Sequence, residues 1–194
     1  LGFEFGTAEQ VTRKWDTDIL ITIAGNPTAA LLDELDIVLE ELNALISSAG
    51  ITIQITQNAF QANFTIFMGS GEEYGEFFPP AAPFVNSNFG LFFVSFDERQ
   101  FLTEASMYVD IFRPTPLKQR HLLREELTQA LGLARDSDRF PDSIFQTSFQ
   151  IGCATDYAQI DEVLIRLLYD PRVSTSLSEG EVRSLLEGII NEFI

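Results

Sequence analysis

Arg124-Glu125-Glu126-Leu127-Thr128-Gln129-Ala130-Leu131-Gly132-Leu133-Ala134-Arg135 is the stretch from which the fold of this chain is read. Upstream of it, Thr115-Pro116 supplies a cap and a proline suited to a first helical turn, so a helix is expected from there to Leu131, stopped by Gly132. At helical pitch Leu122, Glu125, Glu126 and Gln129 fall on one side, and Leu123, Leu127, Ala130 and Leu131 on another. The apolar side is expected to pack on a sheet and the polar side to line a cleft. His121, one turn before Glu125, shares a helix face with that carboxylate.

The sheet is legible on the N-terminal side of this helix. Ile19-Leu20-Ile21-Thr22-Ile23 is a β-branched apolar run ended by Gly25-Asn26-Pro27. A long amphipathic helix then follows, with Asn26 as expected cap and Leu31, Leu35, Val38, Leu42 and Leu45 at helical spacing before Gly50. Ile51, Ile53 and Ile55 alternate with polar residues, and Asn63 to Met68 forms a third strand, giving a βαβ unit with a neighbour. Gly90 to Phe96 and Ala105 to Phe112 read as two further strands. The loop from about Gly69 to Asn88 carries Phe77-Phe78-Pro79-Pro80 and Pro83-Phe84, too proline-rich for a central strand. It is expected either to cover the core or to form the lip of a binding groove through Phe77, Phe78 and Phe84. After an irregular segment to about Thr155 come two helices, one around Ile160, Leu164 and Leu167, the other opened by a Ser178 and Glu181 capping box. The pattern is one α/β domain over 1-194, with sheet and motif helix in about 10-135 and an irregular and helical part in about 136-194.

Composition excludes several functions. With 29 acidic against 12 basic residues the formal charge is −17, which opposes nucleic-acid or anionic-membrane binding because each phosphate contact needs a Lys or Arg. One Cys and one His, Cys153 and His121, do not make a conventional zinc site or a disulfide framework. Asp136, Asp138 and Asp142 lack the spacing and closing Glu of an EF-hand loop. No apolar run reaches the roughly 18 residues of a membrane span. The first residue is Leu1, not Met, and the protein is expected to be secreted, periplasmic or lipoprotein-anchored with its signal removed.

Glu125 to Arg135 resembles the metzincin zinc-peptidase signature HExxHxxGxxH with its histidines replaced, and the order of the preceding elements is similar to the upper part of that fold. The resemblance places Glu126 at the general-base position and Gly132 at the turn. Glu125, Gln129 and Arg135 stand at the three former zinc-ligand positions. The only methionines, Met68 and Met107, lie upstream, so the Met-turn is missing. The chain also resembles a bacterial domain family of unknown function in Arg124-Glu125-Glu126 through Gln129, Gly132-Leu133, Asp136, Asp142-Ser143-Ile144-Phe145 and Leu168-Tyr169-Asp170-Pro171. The metzincin resemblance implies a twisted, mostly parallel sheet in which Gly90 to Phe96 is an antiparallel edge strand above the motif helix. With the three histidines replaced, the reading is a cleft with no metal and no cofactor that binds an extended peptide, an envelope protein or a glycan, or else a purely structural interaction module. The alternative is a hydrolase in which Glu126, beside Gln129, activates water. A salt bridge from Glu125 or Glu126 to Arg135 is expected to replace metal ligation.

Overall fold

The computed structural model describes residues 10–146 and 153–193. Five strands form one sheet in the order β2-β1-β3-β5-β4, where β1 is Ile19–Gly25, β2 Ile53–Ile55, β3 Phe64–Gly69, β4 Gly90–Phe96 and β5 Leu102–Asp110. All neighbours run parallel except β4, which is outermost and antiparallel to β5. Helix α1 (Ala29–Leu45) crosses from β1 to β2, and helix α3 (Pro116–Gln129), which carries the motif, follows β5.

Side-chain alternation along the strands sorts the two faces. Phe64, Ile66 and Met68 of β3 join Ala105, Met107 and Val109 of β5 in a core closed by Leu31, Leu35, Val38 and Leu42 of α1 and Leu123 and Leu127 of α3. Each such aliphatic side chain contributes about 1.5–3 kcal/mol by leaving water. The opposite face presents Phe67 and Tyr108, which cluster with Leu91 of β4 and with Tyr74 of a helix absent from the sequence-based expectation, α2 (Gly71–Phe77). That helix begins with a capping box, Ser70 accepting from the Glu73 amide while the Glu73 carboxylate accepts from the Ser70 amide. The expected proline-rich loop is therefore a seven-residue helix and a 3₁₀ turn at Pro79–Ala81 before the chain turns into β4.

A second correction concerns the start of α1. Its cap is Thr28, whose hydroxyl accepts from the Leu31 amide at 3.2 Å, and not Asn26. Asn26 is still held to the sheet, its amide donating to the Met68 carbonyl at 2.7 Å. The chain leaves β1 through Gly25, at φ +81, where a Cβ would lie 2.2 Å from the same carbonyl oxygen. Ladder pairing thus outlasts the apolar run and delays the helix.

The C-terminal part holds α4 (Gln159–Tyr169) and α5 (Glu179–Ile189), the latter opened by the expected Ser178 and Glu181 box. It locks the end of α3. Tyr169 donates to the Leu131 carbonyl at 2.9 Å and Trp15 donates to that of Ala130 at 3.1 Å, so two carbonyls left over at the helix end are satisfied. Gly132 turns at φ +119 with the Arg13 carbonyl so close that a Cβ would lie 2.2 Å from its oxygen.

Candidate functional site

Helix α3 is buried on more than its apolar side: Gln119, His121, Arg124, Glu125, Glu126, Thr128 and Gln129 are all buried. Polar residues in such a place need partners. Those partners define the site.

On the flank facing α1, Arg124 is 1% exposed and pairs with Glu34 at 3.2 Å and with Glu41, while its guanidinium lies 4.5 Å from the Tyr157 ring. Arg120 also reaches Glu34, at 2.5 Å. Thr128 donates to the Arg124 carbonyl at 2.6 Å and shares a hydrogen bond with the Tyr157 hydroxyl at 2.8 Å. Burial drives the Tyr157 hydroxyl upward and keeps it protonated. The buried network ties α1, α3 and the segment before α4 into one unit.

On the opposite flank a cleft of about 280 Å³ opens between α3 and the chain leading into β4. Its floor is Leu122, Glu125 and Glu126 with Asp136 at one end, and its roof is Ser87, Asn88, Phe89 and Gly90. Gly90 sits directly against Glu126: a Cβ there would be 2.7 Å from Glu126 Oε1 and 3.0 Å from Leu122 Cδ2. The roof is fixed from behind by Arg113, whose Nη2 donates to the carbonyls of Val85 and Asn88 at 2.8 Å each and whose charge lies 4.7 Å from the Phe89 ring. Asp110 orients Arg113; burial alone would raise its carboxyl, but the amides of Arg113 and Phe112 and the guanidinium outweigh this and hold it below the usual range.

The sequence-derived positions come together in part. Glu125 and Glu126 both line the cleft, and Gly132 makes the turn as expected. Gln129 is buried and donates to Asp136 Oδ1 at 2.6 Å. Glu125 accepts from His121 Nε2 at 3.2 Å, and His121 Nδ1 reaches the Ala154 carbonyl at 2.8 Å. Arg135 is exposed and its side chain forms no ion pair with a described residue, so the expected bridge from Glu125 or Glu126 to Arg135 is replaced by His121–Glu125 and Gln129–Asp136. Asp136, next to Arg135, is the residue that reaches the cleft.

Phe78 and Phe84 lie against Phe93, with ring centroids 5.2 and 6.2 Å apart, and Phe77 against Phe67 at 5.3 Å. All three therefore sit on the sheet face away from the cleft. Two contributors have no place in the sequence-based site: Asp136, considered there only against a calcium loop and within the family resemblance, and Arg113, for which no local pattern gives a signal.

These donors do not fit zinc. Glu125 and Gln129 are committed to hydrogen bonds with His121 and Asp136, and Arg135 is exposed. Among the described residues no group of three His, Cys, Asp or Glu side chains is placed to hold a metal ion. Among them too, no helix is long and apolar enough to cross a membrane.

The segment Asp142-Ser143-Ile144-Phe145 is tied to the turn after α3, the Ser137 amide donating to the Phe145 carbonyl at 2.8 Å, and to the start of α4. Asp161, fully buried at the start of α4, accepts from the Ser143 hydroxyl at 2.5 Å and from the amides of Ile144 and Ala158 at 3.1 and 2.9 Å. Of the other segments in the resemblance to a bacterial domain family, Leu168 and Tyr169 meet the end of α3 at Gly132 and Leu131. No curated protein matches the chain. A family model described as "Protein of unknown function (DUF2927)" matches residues 1–188, and the chain belongs to that family.

Proposed function

We propose that this chain is a zincin-like scaffold without zinc chemistry, and that it binds an extended peptide, such as a segment of an envelope protein, as an added strand on β4. The observation that carries the reading is the position of β4: it is the outermost strand, and its first residue, Gly90, rests on Glu126 of the motif helix. The amide of Asp110 donates to the Phe89 carbonyl. Alternation along the β4–β5 ladder then directs the backbone groups of Leu91, Phe93 and Ser95 toward β5 and those of Gly90, Phe92 and Val94 outward. Outward N–H and C=O groups are what an added strand pairs with. The cleft beneath offers Glu125, Glu126 and Asp136 against Lys118, which favours a cationic side chain from the ligand.

The test is binding of labelled basic peptides followed by fluorescence anisotropy, with N-methyl groups scanned along the peptide. Strand addition predicts loss at alternate positions only, and weakening on Glu126→Gln. Uniform tolerance of N-methylation, or no binding by any basic peptide, would overturn the reading.

A further inference from the structure

Parallel sheets are normally covered on both faces, because neither face can be left to water without a polar surface. Here α2 covers only half of the outer face. It packs over the row Ala24, Phe67, Tyr108 and Leu91, which stand in register across four strands. Two residues along each strand the matching row is Thr22, Thr65, Ser106 and Phe93, with Ser95 and Glu104 paired beyond it. No helix among the described elements packs there. A groove of about 500 Å³ lies over this row, walled on one side by Phe77, Phe78 and Phe93. That volume is in the range of small-ligand sites, about 300–1,000 Å³.

The chemistry of the lining selects a ligand. Side chains of Thr65, Ser95 and Glu104 make no hydrogen bond to a described residue, and the Ser106 hydroxyl, bonded to Tyr74 at 2.9 Å, keeps unused capacity. An apolar ligand would strip water from these groups and return nothing. An anion meets no Lys or Arg in the lining, one carboxylate, and a chain of formal charge −17. One carboxylate does not hold a metal ion. What fits is a neutral ligand with an apolar C–H face for the rings and a rim of hydroxyls for the floor. A pyranose has both.

We propose that this groove, separate from the peptide site on β4, is a binding site for a neutral carbohydrate. Its C–H face stacks on the aromatic wall, where ring faces carry negative potential, and adjacent hydroxyls donate to Glu104 while Thr65, Ser95 and Ser106 serve the others. The experiment is saturation-transfer NMR and titration of the full chain with cellotriose, maltotriose and chitotriose. Saturable binding of at least one is expected, weakened at least tenfold by Phe77→Ala and by Glu104→Gln, and unchanged by Glu126→Gln. Phe77 is 51% exposed and Glu104 is exposed, so both variants keep the core. Absence of saturable binding by all three sugars, or binding that survives both substitutions, overturns the proposal. So does a basic peptide whose binding is lost on Phe77→Ala, which would assign the groove to the peptide.

Discussion

The imidazole of His121 stands between two acceptors, with Nε2 3.2 Å from Glu125 Oε2 and Nδ1 2.8 Å from the Ala154 carbonyl. A carbonyl only accepts, so Nδ1 carries a proton; the contact with Glu125 then needs one more proton between Nε2 and the carboxylate. Burial pulls the His121 pKa down, but the hydrogen bond and charge of Glu125 and the Ala154 carbonyl outweigh burial and the opposing Lys118, raising it above 6.5. A raised value in the folded chain means that the pair's stabilisation is complete below the unfolded value of about 6.5 and is lost as pH rises through the folded one. His121 is the only histidine, so its ring resonances can be titrated without ambiguity. The expected midpoint lies above 6.5 and falls on Glu125→Gln. A midpoint at or below 6.5 in the unaltered chain would contradict the assignment.

The Arg124 network predicts a large mutational effect. Arg124 is 1% exposed and its partner Glu34 3%, so Arg124→Ala leaves the buried Glu34 with the partly exposed Arg120 alone, and the double variant Arg120→Ala/Arg124→Ala leaves it uncompensated. Urea denaturation should show a clear loss for the single variant and about 3–5 kcal/mol for the double one. Arg135→Ala, at an exposed position, should change stability by less than about 0.5 kcal/mol. Equal effects of Arg124→Ala and Arg135→Ala would mean that the Arg124 pairs are not buried in solution.

Three glycines should respond differently to alanine. Gly132→Ala meets both a positive φ and the Arg13 carbonyl, and should cost more than about 1 kcal/mol. Gly180→Ala, inside α5 with nothing within 4 Å of the new Cβ, should stabilise by about 0.5–1 kcal/mol. Gly90→Ala presses on Glu126 and Leu122, and its effect should be largest on peptide binding, since it changes the cleft roof. Thermal melts of the three variants, with anisotropy for the last, check the order.

Much of the scaffold was readable because its signals are local. The Ile19 to Ile23 run, the Thr115-Pro116 start of α3 and the Ser178-Glu181 box each specify an element within a few residues. The same kind of signal, Ser70 with Glu73, stands within the expected loop, where the surrounding prolines and glycines argue against regular structure. The candidate site was legible only to the level of position. Glu125 and Glu126 line the cleft and Gly132 turns the chain after the helix, but the partners taken by their neighbours His121 and Arg124 depend on chain returning from elsewhere. The Ala154 carbonyl and the Glu34 carboxylate come from 33 and 90 residues away along the chain. Asp136, and not Arg135, pairs with the motif helix through Gln129, and spacing alone does not encode that.

The central claim is that the motif cleft binds extended peptide without cutting it. Mass spectrometry of a basic peptide library incubated with the chain, with zinc supplied, measures both at once. Intact peptides retained on the protein, with no accumulation of fragments, are expected. Fragments that build up with time and vanish on Glu126→Gln would contradict it and make this chain a hydrolase.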